Sequence, residues 1–188
     1  MKTATVIVAL ILTLAAIGGP AMAQGTKAIG AGLDVALPTG DFGDAANTGF
    51  GGVVSFSYGV TPNINLLADF GYTRWSAKTG LVDLDINWNA IPVQFGAKYY
   101  FMPMTNRFYV GALAGFHRFS IDVPFYDPFT RTTTTVSASD TKFGIAPMAG
   151  YELGIGSGMA LDLGARYQFV SDELSYFGVR AGLVYNLK

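Results

Sequence analysis

The 188-residue sequence contains no cysteine and a single histidine. A disulfide framework, a thiolate metal centre, a lipid-modified cysteine and a multi-histidine metal site are therefore excluded. Charge is sparse as well: Asp, Glu, Lys and Arg make up 13% of the chain, with 12 basic residues against 13 acidic ones. A balance this even lacks the basic surplus on which nucleic-acid binding rests. After the first two dozen residues no run of 18 apolar residues occurs, so there is no candidate spanning helix there. Glycine is abundant, with 24 residues, and so are aromatics, with 14 Phe and 10 Tyr.

The beginning of the chain is of a different kind. Met1-Lys2, the apolar stretch from Val6 to Ile17 and Ala21-Met22-Ala23 give the basic start, short apolar core and small-residue cleavage site of a secretory signal peptide, cut before Gln24. The apolar stretch is shorter than the roughly 20 residues of a spanning helix, which argues against a membrane anchor. The expected organisation is a cleaved signal peptide, residues 1–23, and one domain, residues 24–188.

From Ile29 onward the dominant period is two, the period of a strand. The last segment, Tyr176 to Leu187, shows it most clearly. Phe177, Val179, Ala181, Leu183, Tyr185 and Leu187 fall on one face, and Gly178, Arg180, Gly182 and Asn186 on the other. The same alternation runs through Ile29 to Leu37, Phe50 to Tyr58, Ile64 to Thr73, Phe108 to His117, Lys142 to Leu153 and Met159 to Phe169. The fourth segment switches parity: Ile86 and Trp88 sit on one side, Ile91 to Phe101 on the other. A bulge near Asn89-Ala90 would produce the switch, and so would an extension beyond a bilayer, which is the preferred reading. Short turns at Gly59 to Asn63, Met102 to Asn106 and Gly154 to Gly158 alternate with connections that are mostly longer, the longest from Ser120 to Ser139.

Eight such segments, one apolar face each and short turns alternating with long loops are the pattern of an all-β, eight-stranded antiparallel up-and-down transmembrane β-barrel. In a membrane only closure satisfies every backbone group of a sheet. A soluble barrel with its apolar face inward would alternate in the same way. Against it stand a glycine-rich second face suited to a narrow interior and aromatics near both ends of the segments, as at two membrane interfaces. On these residues the chain resembles the small outer-membrane barrels of the OmpA, OmpX and opacity-protein type, from residue 27 to residue 188. The resemblance includes an assembly signal: Arg180, Gly182, Tyr185 and Leu187 match its polar, glycine, aromatic and apolar positions. The family usually ends in Phe or Trp, where this chain has Leu187 and Lys188.

Alternation turns Asp34, Asp69, Glu152 and Asp162 inward together with Lys98, Lys142, Arg166 and Arg180. Charges between low-dielectric walls have to be paired, so these eight are expected to form an ion-pair network filling the lumen. Arg180 is expected to meet Asp34 across the seam between the last and first strands, and Lys98 to meet Glu152 or Asp162. His117 and Ser120 invite comparison with lipid A-deacylating barrels, but their spacing does not match that arrangement. No catalytic, cofactor or metal residues are assigned. Phe125, Tyr126 and Phe129 in the longest connection are a candidate contact surface.

The resemblance implies a non-enzymatic protein in the outer membrane of a Gram-negative-type bacterium, with a structural or adhesion-like role played by its loops. Its implied partners are outer-membrane lipid, lipopolysaccharide, the barrel assembly machinery and an extracellular ligand, with the protein itself a monomer. A narrow porin-like channel and a lipid A-modifying enzyme are the alternatives.

Overall fold

The computed structural model describes residues 25–78, 87–102, 104, 106–127, 132–156 and 158–187, with the backbone alone over 122–127 and 132–136. Eight strands follow one another: β1 (Lys27–Pro38), β2 (Gly49–Gly59), β3 (Ile64–Ser76), β4 (Asn87–Tyr100), β5 (Arg107–Asp127), β6 (Thr132–Gly156), β7 (Met159–Val170) and β8 (Tyr176–Leu187). Each pairs antiparallel with its sequence neighbours, and β8 returns to β1 to close the barrel.

Register decides which residues meet bilayer and which meet lumen. Leu33 is 75% exposed and Phe95 63% exposed, whereas Asp34 and Gln94 beside them are buried. A barrel with leucine and phenylalanine outside and carboxylates inside is inverted relative to a soluble one, so its solvent is lipid. Tyr58, Tyr99, Phe101, Phe108 and Tyr185 are exposed near the ends with short turns, and Tyr72, Phe116 and Phe169 near the other.

Two ladder gaps have the same cause. The β3–β4 ladder lacks pairs between Phe70↔Val93 and Thr73↔Ala90, and the β6–β7 ladder lacks them between Ile145↔Phe169 and Met148↔Arg166. Pro92 lies in the first gap and Pro147 in the second, and proline has no N–H to give a neighbouring strand.

Three local expectations change. The β4–β5 ladder runs in one register from Asn87↔Asp122 to Tyr100↔Tyr109, so the parity switch at Trp88 is neither a bulge nor an end of alternation. Trp88 keeps the inward parity and packs against an aromatic cluster inside the outer mouth. The stretch after Pro38, one of the connections between alternating segments, holds a short helix, α1 (Gly40–Ala45). Most of the Ser120 to Ser139 connection is strand: β5 and β6 stay paired up to Asp127↔Thr132.

Candidate functional site

Inward-facing residues stack in layers along the barrel axis. Nearest the short turns, Lys98 Nζ donates to Glu152 Oε1 at 3.3 Å and to Asp162 Oδ2 at 2.9 Å. Arg107 donates twice to Glu152 Oε2, at 3.0 and 2.8 Å. Tyr100 gives its hydroxyl proton to Glu152 at 2.7 Å and Tyr109 gives its own to Asp162 at 2.8 Å. Both rings also face cations, Arg107 at 3.6 Å from the Tyr100 centroid and Lys98 at 4.1 Å from that of Tyr109. Gly150 and Gly164 leave room for the Tyr109 hydroxyl, which a methyl group at either position would overlap.

The next layer is also neutral. Asp34 receives Arg180 Nε at 3.0 Å and Arg166 Nη2 at 2.5 Å, while Asp69 Oδ2 receives Arg180 Nη1 at 2.9 Å. Asp34 and Arg180 are register partners on β1 and β8, so this pair bridges the closing seam. Above it Gln94 and Gln168 exchange amide hydrogen bonds of 3.0 and 2.8 Å. His117 comes next, fully buried and stacked on Phe119.

An aromatic lid closes the outer mouth. Phe42, carried inward by α1, meets Trp75, Trp88 and Phe119 at centroid distances of 5.3, 5.7 and 6.3 Å. Trp75 Nε1 donates to the Ala36 carbonyl at 3.2 Å, and Gly49 supplies the space for its indole. The helix is tied down by Thr39, which donates through its backbone and hydroxyl to Ser175 O, and by Lys78, which donates to Gly43 O.

Seven of the eight inward charges named from the sequence are buried in these two layers. Lys142 is not: it shares their parity but stands at the outer rim, paired with the exposed carboxylates of Asp140 and Asp172. A long side chain this close to the strand end reaches water without entering the lumen. Arg107 takes the place of a fourth charge in the first layer, a role alternation alone did not reveal because it begins its strand. His117 and Ser120 have opposite parity, one inward and one outward, and neither imidazole nitrogen has a hydrogen-bond partner among the described residues. Arg180 sits in the seam pair, and a Cβ on Gly182 would lie 2.8 Å from the Ala31 carbonyl oxygen. Tyr185 and Leu187 face outward, both partly exposed. Phe129 lies outside the described residues, as do the side chains of Phe125 and Tyr126.

Inverted faces, closure by β8 on β1 and a charged but neutral lumen agree with one further finding. The sequence profile of the outer membrane protein beta-barrel domain matches residues 9–186. The chain belongs to this family of outer-membrane barrels. Its place is accordingly the outer membrane of a Gram-negative bacterium. Similar solved structures include Ail of Yersinia pestis in complex with the heparin analogue sucrose octasulfate, at 15% identity and TM-score 0.62, covering 87% of this chain and 99% of that one. Neisserial surface protein A is 21% identical with TM-score 0.62, covering 86% of this chain and 97% of that one. OprG of Pseudomonas aeruginosa is 12% identical with TM-score 0.60, covering 89% and 98%. At these identities the likeness is one of fold. No curated protein is detectably similar in sequence.

Proposed function

We propose that this outer-membrane barrel is a non-enzymatic surface protein whose sealed interior serves stability and whose outward hairpin, β5 with β6, makes the contacts. The observation that carries the first half is the layer around Lys98 and Glu152. Among the described residues, the buried side-chain polar atoms with no hydrogen-bond partner belong to Asp69, His117, Arg166, Tyr176 and Arg180, and none to Lys98, Tyr100, Arg107, Tyr109, Glu152 or Asp162. A neutral layer with all its groups engaged offers an ion no site to enter and no surplus of one sign to select it. The opposite parity of His117 and Ser120 supports a non-enzymatic reading.

For the second half, β5 and β6 remain paired beyond the points where β4 and β7 end. The hairpin is the largest structure the described chain raises above the rim. Ail was crystallised with a sulfated sugar, but here the outer rim carries Asp41, Asp44, Asp140, Asp172 and Glu173 with Lys78 and Lys142 among them, an acidic excess that favours a basic partner over a polyanion. Arg74 and Arg118 face outward at the outer ends of β3 and β5, where lipopolysaccharide phosphates lie. In this reading residues 1–23 are removed on export. Arg180, Gly182, Tyr185 and Leu187 are read by the assembly machinery, Phe125, Tyr126 and Phe129 belong to the contact surface, and the barrel is a monomer.

A narrow channel is the second reading, favoured by a cavity of about 480 Å³ at the turn end that reaches Arg107 and Glu152. Planar-bilayer recording separates the two: the sealed barrel gives no steady openings, and regular ion-selective steps would support the channel. Replacing residues 121–138 by a short turn should leave the folded, heat-modifiable barrel intact and abolish attachment of expressing cells to their target surface.

A further inference from the structure

At the outer mouth β4 leaves β5 after Asn87↔Asp122 and β7 leaves β6 after Gly144↔Val170. Beyond these points the inner face of the β5–β6 hairpin looks across the opening instead of into a filled lumen. Its inward parity carries Phe119 and Ile121 on β5 and, opposite them, Asp140 and Ala138 on β6, with Lys142 one step lower. Trp88 is the register partner of Ile121 on the β4 side. The facing wall is the turn between β7 and β8, whose Leu174 packs against the same aromatic cluster as Trp88. Together these elements enclose an open cavity of about 230 Å³.

The turn is built to present this wall. The Ser171 N–H and hydroxyl both donate to Phe143 O, at 3.1 and 3.0 Å, and Ser175 Oγ accepts the Val170 N–H at 3.2 Å. Between them Asp172 and Glu173 have φ values of 59° and 62°, a left-handed conformation uncommon in residues with a side chain. With the chain reversed in so few residues, Leu174 lies against the aromatic cluster and Asp172 reaches Lys142.

The cavity has two chemically different parts. Its base is apolar, formed by Trp88, Phe119, Ile121, Ala138 and Leu174. Trp88, Ile121 and Leu174 are only half-buried, and they face the mouth rather than the lipid. Its lip is charged: Lys142 is paired with Asp140 and Asp172, both exposed, so one cation stands between two carboxylates. Arg118 has the outward parity and does not offset this surplus. An apolar base under a net negative lip suits a ring that carries an ammonium group, whereas an anion of the same shape would meet two carboxylates. An indole in the base adds its own attraction for a cation. Drug-sized ligands take about 300–1,000 Å³, so this volume admits one ring with a short chain. Trp88 and Phe119 also pack against Phe42, so the base of the cavity is the lid itself and a ligand held there goes no further inward.

We propose that this cavity binds a small apolar amine, one ring with a primary ammonium on a short chain, at the outer surface of the barrel. The base supplies the affinity, and the paired carboxylates at the lip set the preference for a cation. This is a binding function separate from the hairpin's contacts with another surface.

The test uses the full barrel folded into vesicles of zwitterionic lipid. The probe is 2-phenylethylamine, and the readout is tryptophan emission, to which this chain contributes only Trp75 and Trp88. The intact protein should respond saturably to the amine, and 3-phenylpropionate, of similar size and opposite charge, should bind roughly tenfold more weakly or worse. Ala138→Phe places a ring in the cavity from an exposed position and should weaken amine binding by at least the same factor. In the double variant Asp140→Asn with Asp172→Asn, Lys142 keeps its charge without its carboxylates, and the preference should reverse toward the acid. Heat-modifiable mobility checks that each variant is folded. The proposal would be overturned by the absence of a saturable response, by equal binding of amine and acid to the intact protein, or by unchanged amine affinity in Ala138→Phe. A preference for the amine that survives in the double variant would overturn it as well.

Discussion

Replacing Glu152 with alanine tests whether the turn-end layer is the structural seal. Glu152 accepts from Lys98, from Tyr100 and twice from Arg107, with its side chain 3% exposed. Its removal leaves Lys98 with Asp162 and the Tyr109 ring, Arg107 with the Tyr100 ring, and the layer with one excess positive charge. Breaking a buried pair by deleting one partner costs about 3–5 kcal/mol. Adding about 1.5–3 kcal/mol for every charged hydrogen bond would give far more, but Lys98 keeps its 2.9 Å bond to Asp162, so the lower range is the better estimate. Urea unfolding of the barrel in lipid vesicles, followed by heat-modifiable mobility, measures it. The double variant Lys98→Met with Glu152→Leu restores neutrality and should be less destabilised than the sum of its single changes, by about 0.5–3 kcal/mol of coupling. A Glu152→Ala cost below about 1 kcal/mol, or strict additivity in the double variant, would refute the seal.

Four further outcomes are expected. In planar bilayers Phe42→Ala should remain silent, since the layers beneath the lid still fill the lumen, and so should Lys98→Ala with Glu152→Ala, because the Asp34–Arg180 layer, the Gln94–Gln168 pair and the lid remain; regular openings in either would mean that one layer alone is the seal. His117→Phe should change stability by less than about 1 kcal/mol or raise it, because it replaces buried nitrogens that have no partner with apolar atoms; a large loss in urea unfolding would mean the imidazole is needed. Gly49→Val should displace Trp75, costing about 1–3 kcal/mol as overpacking and shifting tryptophan emission toward that of wetter indole. At the rim above the bilayer, the hydrogen bond that Lys142 donates to Asp140 depresses the Asp140 carboxyl, and its hydrogen bonds to Asp140 and Asp172 raise the Lys142 ammonium. The Asp140 contribution is therefore present above the usual carboxylate value of about 4 and is lost as pH falls through its lower folded value. Glu173 is raised by its hydrogen bond with Asp41, so that contact is present in acid and is lost as pH rises through the folded value. Amide exchange at Thr141 and in the Ser171 to Ser175 turn should report these opposite trends.

Much of this architecture was legible because a strand's period is two: one parity gave the lipid face, the other the charges of the lumen. Asp34 and Arg180 could be matched because β1 and β8 must pair to close the barrel. Period says nothing about height, however, and height separates Lys142 at the rim from Arg166 inside. Nor does it mark Arg107, which precedes the alternating run, or the tyrosines of the first layer, whose inward parity looked like ordinary aromatic content. Trp88 misled because an apolar residue on the lumen side seemed to break the pattern. The outer mouth is wide enough for indoles, and there aromatic contact replaces ion pairing as the filling. Phe42 was missed for a related reason: a polar, glycine-containing connection gives no helical period, and α1 is held by the Ser175, Lys78 and Trp75 contacts rather than by its own sequence.

The prolines connect the buried half of the molecule to the exposed half. Pro92 and Pro147 interrupt ladders between strands that the surrounding pairs keep together, so the barrel tolerates the loss of an N–H where closure supplies the rest. Pro124 interrupts no ladder among the described residues, because its missing N–H faces away from β6. Thr133 and Thr135 point outward on the opposite edge, and a proline at either place would break no bond of the hairpin. If the hairpin needed only to stay solvated, both edges could have been blunted in the same way. Instead β5 carries a proline there, while β6 keeps a run of β-branched residues in one register with it.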